Sequence, residues 1–204
     1  AALAWVHKEN RITRDALEQH EKFDTLKQNA LAVLQSDERI PQVTRRGAFL
    51  YNFWQDKANK RGLYRRTTLK EYQKDSPAWE TVLDIDALAK KEQENWVYKG
   101  MDCLPPAHRW CLVSLSRGGG DAVVIREFDL HKKSFVEDGF QLPESKSRVY
   151  WRDKDSVFLA PATDPQALTD SGYPRAVSVW RRGQPHGEAR RVFEGQKASV
   201  LSYG

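Results

Sequence analysis

Three times along this chain, a run rich in aromatic and β-branched residues is followed by a short polar or glycine-bearing loop and two further runs of the same kind. The copies cover residues 47–86, 109–136 and 149–193, and the first is the clearest. In it Phe49, Tyr51 and Phe53 alternate with Leu50, Asn52 and Trp54, as a pleated and mostly buried strand requires. The last runs of the copies, 79–83, 134–136 and 189–193, are about 55 residues apart, near the length of one β-propeller blade. The expected fold is therefore mainly β: a partial β-propeller of about three blades of four-stranded antiparallel sheet, preceded by an N-terminal α-helical segment. The expected domains are residues 1–42, helical, and residues 43–204, the incomplete propeller.

The helical reading of the first segment rests on spacing. Phe23, Leu26, Ala30, Val33 and Leu34 recur at steps of three and four, and Leu3, Val6, Ile12, Ala16 and Leu17 form an earlier, less regular stripe. Two amphipathic helices with a break near residues 20–24 fit best, ended by Ser36, Asp37 and Pro41. A further short helix is expected at 84–91, with Asp84 or Asp86 as its N-cap and lysines in its last turn. Arg117-Gly118-Gly119-Gly120-Asp121 reads as a tight hairpin connection between strands at 110–116 and 122–130. Residues 197–204 read as one more strand beginning.

Composition excludes several classes of function. Apolar residues are 40%, and seven Trp, seven Tyr and eight Phe argue for a packed β-rich chain against a disordered one. No run approaches the length of a membrane span, and the apolar start is interrupted at His7, Lys8 and Glu9, so no membrane association and a cytoplasmic location are expected. The net charge of +5 comes from basic doublets scattered among acids, without the single patch a nucleic-acid surface needs, so no nucleic-acid partner is expected. Cys103 and Cys111 are too few for a disulfide framework, and Cys111 reads as a small core residue of an apolar strand.

Motifs of catalysis are missing from the sequence. The five histidines lie far apart with no zinc-pair spacing, no Gly-x-Ser-x-Gly element occurs, and the glycine triplet lacks the Lys-Ser/Thr of a phosphate loop. Asp153 and Asp155 read as a turn. No catalytic residue, metal ligand or cofactor is assigned. The stretch at 161–174 is long for a loop, and Thr169, Asp170, Ser171, Tyr173 and Arg175 are the candidate substrate-gating residues.

Several stretches carry a resemblance. Residues 45–56, Arg61-Gly62-Leu63-Tyr64-Arg65-Arg66-Thr67-Thr68, residues 77–86, Glu94-Asn95-Trp96-Val97, residues 111–119 and Thr169-Asp170-Ser171-Gly172-Tyr173-Pro174-Arg175 resemble the N-terminal part of the prolyl oligopeptidase family of serine peptidases. The resemblance implies an α/β-hydrolase domain with a Ser, Asp, His triad, capped by a seven-bladed propeller that admits short proline-containing peptides and excludes folded proteins. The triad would lie beyond Gly204, so the fragment by itself is expected to be inactive, with the missing C-terminal hydrolase domain as its partner. Its uncovered blade faces are expected to drive self-association. The competing expectation is a stand-alone β-rich module that binds a peptide, a glycan or a nucleic acid.

Overall fold

The computed structural model describes residues 2–163 and 165–200. They divide into two compact units, a helical one running to Ile40 and including Gln55–Ala58, and a β unit of Pro41–Trp54 and the residues from Asn59 onward.

In the helical unit, α1 (Ala2–Glu18) and α2 (Phe23–Gln35) are separated by a break in which the Lys22 N–H donates to His20 Nδ1 at 3.2 Å. Neither helix buries a described residue. Their apolar positions face solvent, with Trp5 64% and Val33 67% exposed.

The β unit is built from three antiparallel sheets in chain order. The first contains β1 (Thr44–Arg46), β2 (Phe49–Trp54), β3 (Leu63–Thr68) and β4 (Glu80–Asp84) in the order of the sequence. α3 (Leu69–Tyr72) lies between β3 and β4, and α4 (Ile85–Glu92) leads to the second sheet. Asp84 is the N-cap of α4, its Oδ1 accepting from the Ala87 N–H at 2.8 Å. Asp86 instead accepts from the Arg61 and Gly62 N–H groups and so fastens the β2–β3 connection to the helix.

The second sheet has five strands: β5 (Trp96–Cys103), β6 (Trp110–Arg117), β7 (Val123–Asp129), β8 (Ser134–Phe135) and β9 (Gln141–Ser145). Its outer edge is shared. β8 pairs with the end of β7 at Phe128 and Asp129, whereas β9 pairs with the beginning of β7, from Val123 to Arg126. The third sheet is β10 (Arg148–Asp153), β11 (Ser156–Ala160), β12 (Ala176–Arg181) and β13 (Arg190–Glu194), again in sequence order.

The pleat of the middle sheet determines the packing. Cys111, Val113, Leu115 and Phe128 point to one side and join Tyr51, Tyr64, Val82 and Leu83 of the first sheet. Leu112, Ile125 and Leu142 point to the other side and join Val149, Val157, Leu159 and Trp180 of the third. Side chains such as Val113, Leu115, Val157 and Leu159 are fully buried, each contributing about 1.5–3 kcal/mol of transfer free energy. Burial also pushes the Tyr64 hydroxyl pKa up to about 12, against the opposing charge of Arg46, so the phenol stays neutral within the core.

Polar contacts fix how neighbouring sheets meet. Arg61 donates to Asn95 Oδ1 and to the Trp96 carbonyl, at 2.7 and 2.8 Å. Glu80 of β4 pairs with both Arg66 and Lys133. Between the second and third sheets Arg182 forms a bidentate pair with the buried Glu127, at 2.8 and 2.9 Å.

Four expectations require correction. The first sheet begins before residue 47, with the edge strand β1, whose Thr-Arg-Arg sequence shows no apolar alternation. The second sheet begins with β5, well before residue 109, and has five strands. Residues 197–200 form no strand, and residues 201–204 of that expected strand lie outside the described residues. Cys111 is a core residue, but not a free thiol: it faces Cys103 in the β5–β6 register, and the two form a disulfide.

Candidate functional site

β5 and β10 are the first strands of their sheets, each paired on one side only. Beside them the two sheets separate and leave a cleft of about 510 Å³. Its floor is apolar, from Met101, Leu112, Val123 and Ile125, whereas its rim carries Lys99, Lys146 and Arg148, Asp102 and Asp121, with Tyr150 and the ring of Tyr173 beside them. An apolar floor with a few polar groups at the mouth is the usual build of a small-ligand site.

Local structure explains how the charges reach the rim. The β5–β6 register shifts between Tyr98 and Gly100, so Lys99 is the extra residue of a bulge, a device that re-aims a side chain. Its ammonium donates to the Gly119 carbonyl at 2.8 Å. Lys146 lies at the corner between β9 and β10, with Nζ 3.5 Å from Asp121 and 5.0 Å from the Tyr173 ring centre. That corner is fixed from beneath: the buried Ser147 hydroxyl accepts from the Ser145 hydroxyl at 2.8 Å and from the Ala162 N–H at 2.7 Å.

The stretch 161–174 is more ordered than an open loop. It holds a turn of 3₁₀ helix at Pro165–Ala167 and a bridge between Leu168 and Pro174. Thr169 is 4% exposed and holds a turn together, receiving the Tyr173 N–H while its own hydroxyl donates to the Val200 carbonyl. Asp170 and Ser171 are exposed at the tip of that turn, with Asp170 3.6 Å from Lys197. Arg175 pairs with Glu194 and donates to the Gln166 carbonyl, which ties the stretch to the outer strand of its sheet. Of these five residues, Tyr173 lines the cleft. The three rim cations had no signal in the sequence beyond their charge, because β5 and β10 come together only in the fold.

Chemically the cleft offers charged and hydroxyl groups over an apolar floor. Ser114 and Ser147 are among the residues that line it, and no histidine is among the described ones, so no serine–histidine pair is assembled there. Among the described residues no group of three His, Cys, Asp or Glu could hold a metal ion. Asp153 serves a turn, accepting from the Asp155 N–H and the Ser156 hydroxyl. No described helix is long and apolar enough to cross a membrane.

Successive antiparallel sheets, each starting from a strand with one free edge and packing face to face on the next, define a segment of β-propeller. Comparison with known proteins specifies it further. Residues 1–204 match the family described as prolyl oligopeptidase, N-terminal beta-propeller domain, and the chain belongs to that family. It is 43% identical over 201 residues to the uncharacterized peptidase y4nA of Sinorhizobium fredii, covering 98% of this chain and 28% of that protein. With the uncharacterized peptidase RP174 of Rickettsia prowazekii it shares 33% identity over 208 residues, covering 98% of this chain and 29% of that protein. A solved post-proline cleaving enzyme from Rickettsia typhi superposes with a TM-score of 0.87 at 32% identity, over 98% of this chain and 30% of that one. Oligopeptidase B from Leishmania major, at 16% identity and a TM-score of 0.56 over 88% of this chain and 26% of that one, shares the fold. The chain thus spans less than a third of the length of these relatives.

Proposed function

We propose that this chain is the propeller-forming N-terminal part of a serine peptidase of the prolyl oligopeptidase type, and that it gates the access of short proline-containing peptides to a hydrolase domain outside these 204 residues. The observation that carries this reading is the superposition on the post-proline cleaving enzyme, which extends over nearly all of this chain and under a third of the other. The cleft supports it, since its apolar floor and charged rim offer binding groups to a short peptide.

Two exposed surfaces fit the same reading. The apolar stripes of α1 and α2 lie open to solvent, as a face would that packs against a hydrolase domain. On the third sheet Tyr150 and Phe193 are 42% and 52% exposed, which suits a face covered by the next blade. Separated from those partners, the chain self-associates through these surfaces. The reading also includes a cytoplasmic location.

The test is hydrolysis of a proline-containing chromogenic peptide by the product of the complete reading frame and by this chain alone. Turnover by the former that a serine-directed inhibitor abolishes, with none by the latter, supports the proposal. A complete product that lacks a hydrolase region, or that leaves the peptide intact, overturns it. Light scattering checks the association: a monomer at high concentration contradicts that part.

A further inference from the structure

We propose that the cleft between β5 and β10 is a subsite for the free carboxylate end of a short peptide whose last side chain is apolar. The inference rests on the reading of this chain as the peptide-admitting part of a peptidase, and adds a chemical preference to it. Lys99, Lys146 and Arg148 stand at the rim against two carboxylates, Asp102 and Asp121, so the mouth carries an excess of positive charge over an apolar floor.

The two lysines are placed to receive an anion. Each lysine ammonium has three donors; Lys99 directs one to the Gly119 carbonyl, and Lys146 is held over the Tyr173 ring. The Lys146–Asp121 contact is long, 3.5 Å, and Asp121 is 72% exposed, so it is a weak and well-solvated pair. A carboxylate that enters the cleft and takes over that ammonium forms a charge-assisted hydrogen bond in surroundings less screened by water than those of Asp121. The floor below is formed by Leu112 and Ile125, both nearly fully buried, with Met101 and Val123 beside them. A leucine-sized side chain fits a cleft of about 510 Å³ with room for the residue before it.

The experiment uses this chain, labelled for amide NMR, and two probes: acetyl-Gly-Ala-Leu with a free carboxylate, and the same tripeptide as its C-terminal amide. The expected result is that the acid shifts amide resonances of residues 99–102, 121–125 and 146–150 together with Tyr173. It binds at least about tenfold tighter than the amide, and its affinity falls as salt rises. Replacing both Lys146→Gln and Arg148→Gln brings the acid down to the affinity of the amide without changing the amide's own. Equal binding of acid and amide to the unaltered chain overturns the proposal, as do shifts confined to other residues or no binding up to about 10 mM. The comparison of acid with amide needs no substitution, so it decides the matter even where the double variant misfolds. No turnover is read, so a negative result counts against the subsite alone, and the peptidase reading is judged by hydrolysis in the complete product.

Discussion

Removing Arg182 should destabilise the β unit more than removing its partner Glu127, and the difference follows from where each charge lies. Glu127 on β7 is 0% exposed. It receives both Arg182 nitrogens, at 2.8 and 2.9 Å, and the Phe140 N–H at 2.8 Å. Arg182, just after β12, has a side chain 30% exposed, donates also to the Lys154 carbonyl and stacks 4.7 Å from the Phe140 ring centre. Arg182→Ala therefore leaves a carboxylate wholly buried with one remaining donor, the expensive outcome for an ion pair broken from one side, about 3–5 kcal/mol. Glu127→Ala leaves a cation that can turn to water and keeps one backbone acceptor, so the loss is smaller, about 2–3 kcal/mol, mostly from the stranded Phe140 N–H and the lost packing. Glu127→Gln keeps an acceptor for that N–H and falls below both. Urea unfolding followed by tryptophan fluorescence measures the order through the midpoint at constant slope. A smaller cost for Arg182→Ala than for Glu127→Ala refutes this ordering, and so does a cost under about 1 kcal/mol for either, the range of a surface pair.

Three further outcomes are expected. Arg65 lies between the rings of Trp54 and Trp79, 4.3 and 4.2 Å from their centres, so Arg65→Ala should cost about 2 kcal/mol in urea unfolding, and Arg65→Lys should recover less than half of it, since an ammonium cannot stack on two faces at once. Hydrogen bonds from Arg66 and then Lys133 hold the Glu80 carboxyl down at about 2. Since its folded pKa is depressed, its contribution to stability is complete above the unfolded value near 4.5 and is lost as pH falls towards 2, so Glu80→Gln should flatten the urea midpoint across that window, and less so in high salt. A Cβ at Gly139 would meet Glu127 Cβ and Oε2 at 2.8 Å and Val136 Cβ at 2.9 Å. Gly139→Ala should therefore cost about 2 kcal/mol by overpacking, with a smaller cost in a Glu127→Ala background, read by the same unfolding assay.

What the sequence made legible was what depends on local pattern. The helix break shows in the stripes of α1 and α2, the strands β2, β6 and β11 show as alternating apolar runs, and the cap of α4 shows as an aspartate before an apolar periodic segment. The glycine triplet forms the expected hairpin connection, with φ of +69° at Gly118 and +91° at Gly119. What stayed hidden depends on pairing between distant segments. β1 is polar because a three-residue edge strand buries little. β9 contains Pro143, which reads as a strand breaker, yet the strand pairs only with β7 and so has a free edge to hold it. Cys103 and Cys111 are separated by a loop whose length gives no sign that the β5–β6 register sets them opposite one another. Glu127 and Arg182 each look like an ordinary strand-edge charge until the second and third sheets stack. The cleft was hidden for the same reason, and Tyr173 was singled out through the length of its loop, with no sign of Lys146 over its ring.

The peptidase reading stands or falls on the rate at which a proline-containing chromogenic peptide is cleaved by the complete gene product and by this chain in parallel. Cleavage by the complete product, blocked by a serine-directed inhibitor, is predicted, with no cleavage by the 204-residue chain. Cleavage by the chain alone, or none by the complete product, would contradict it.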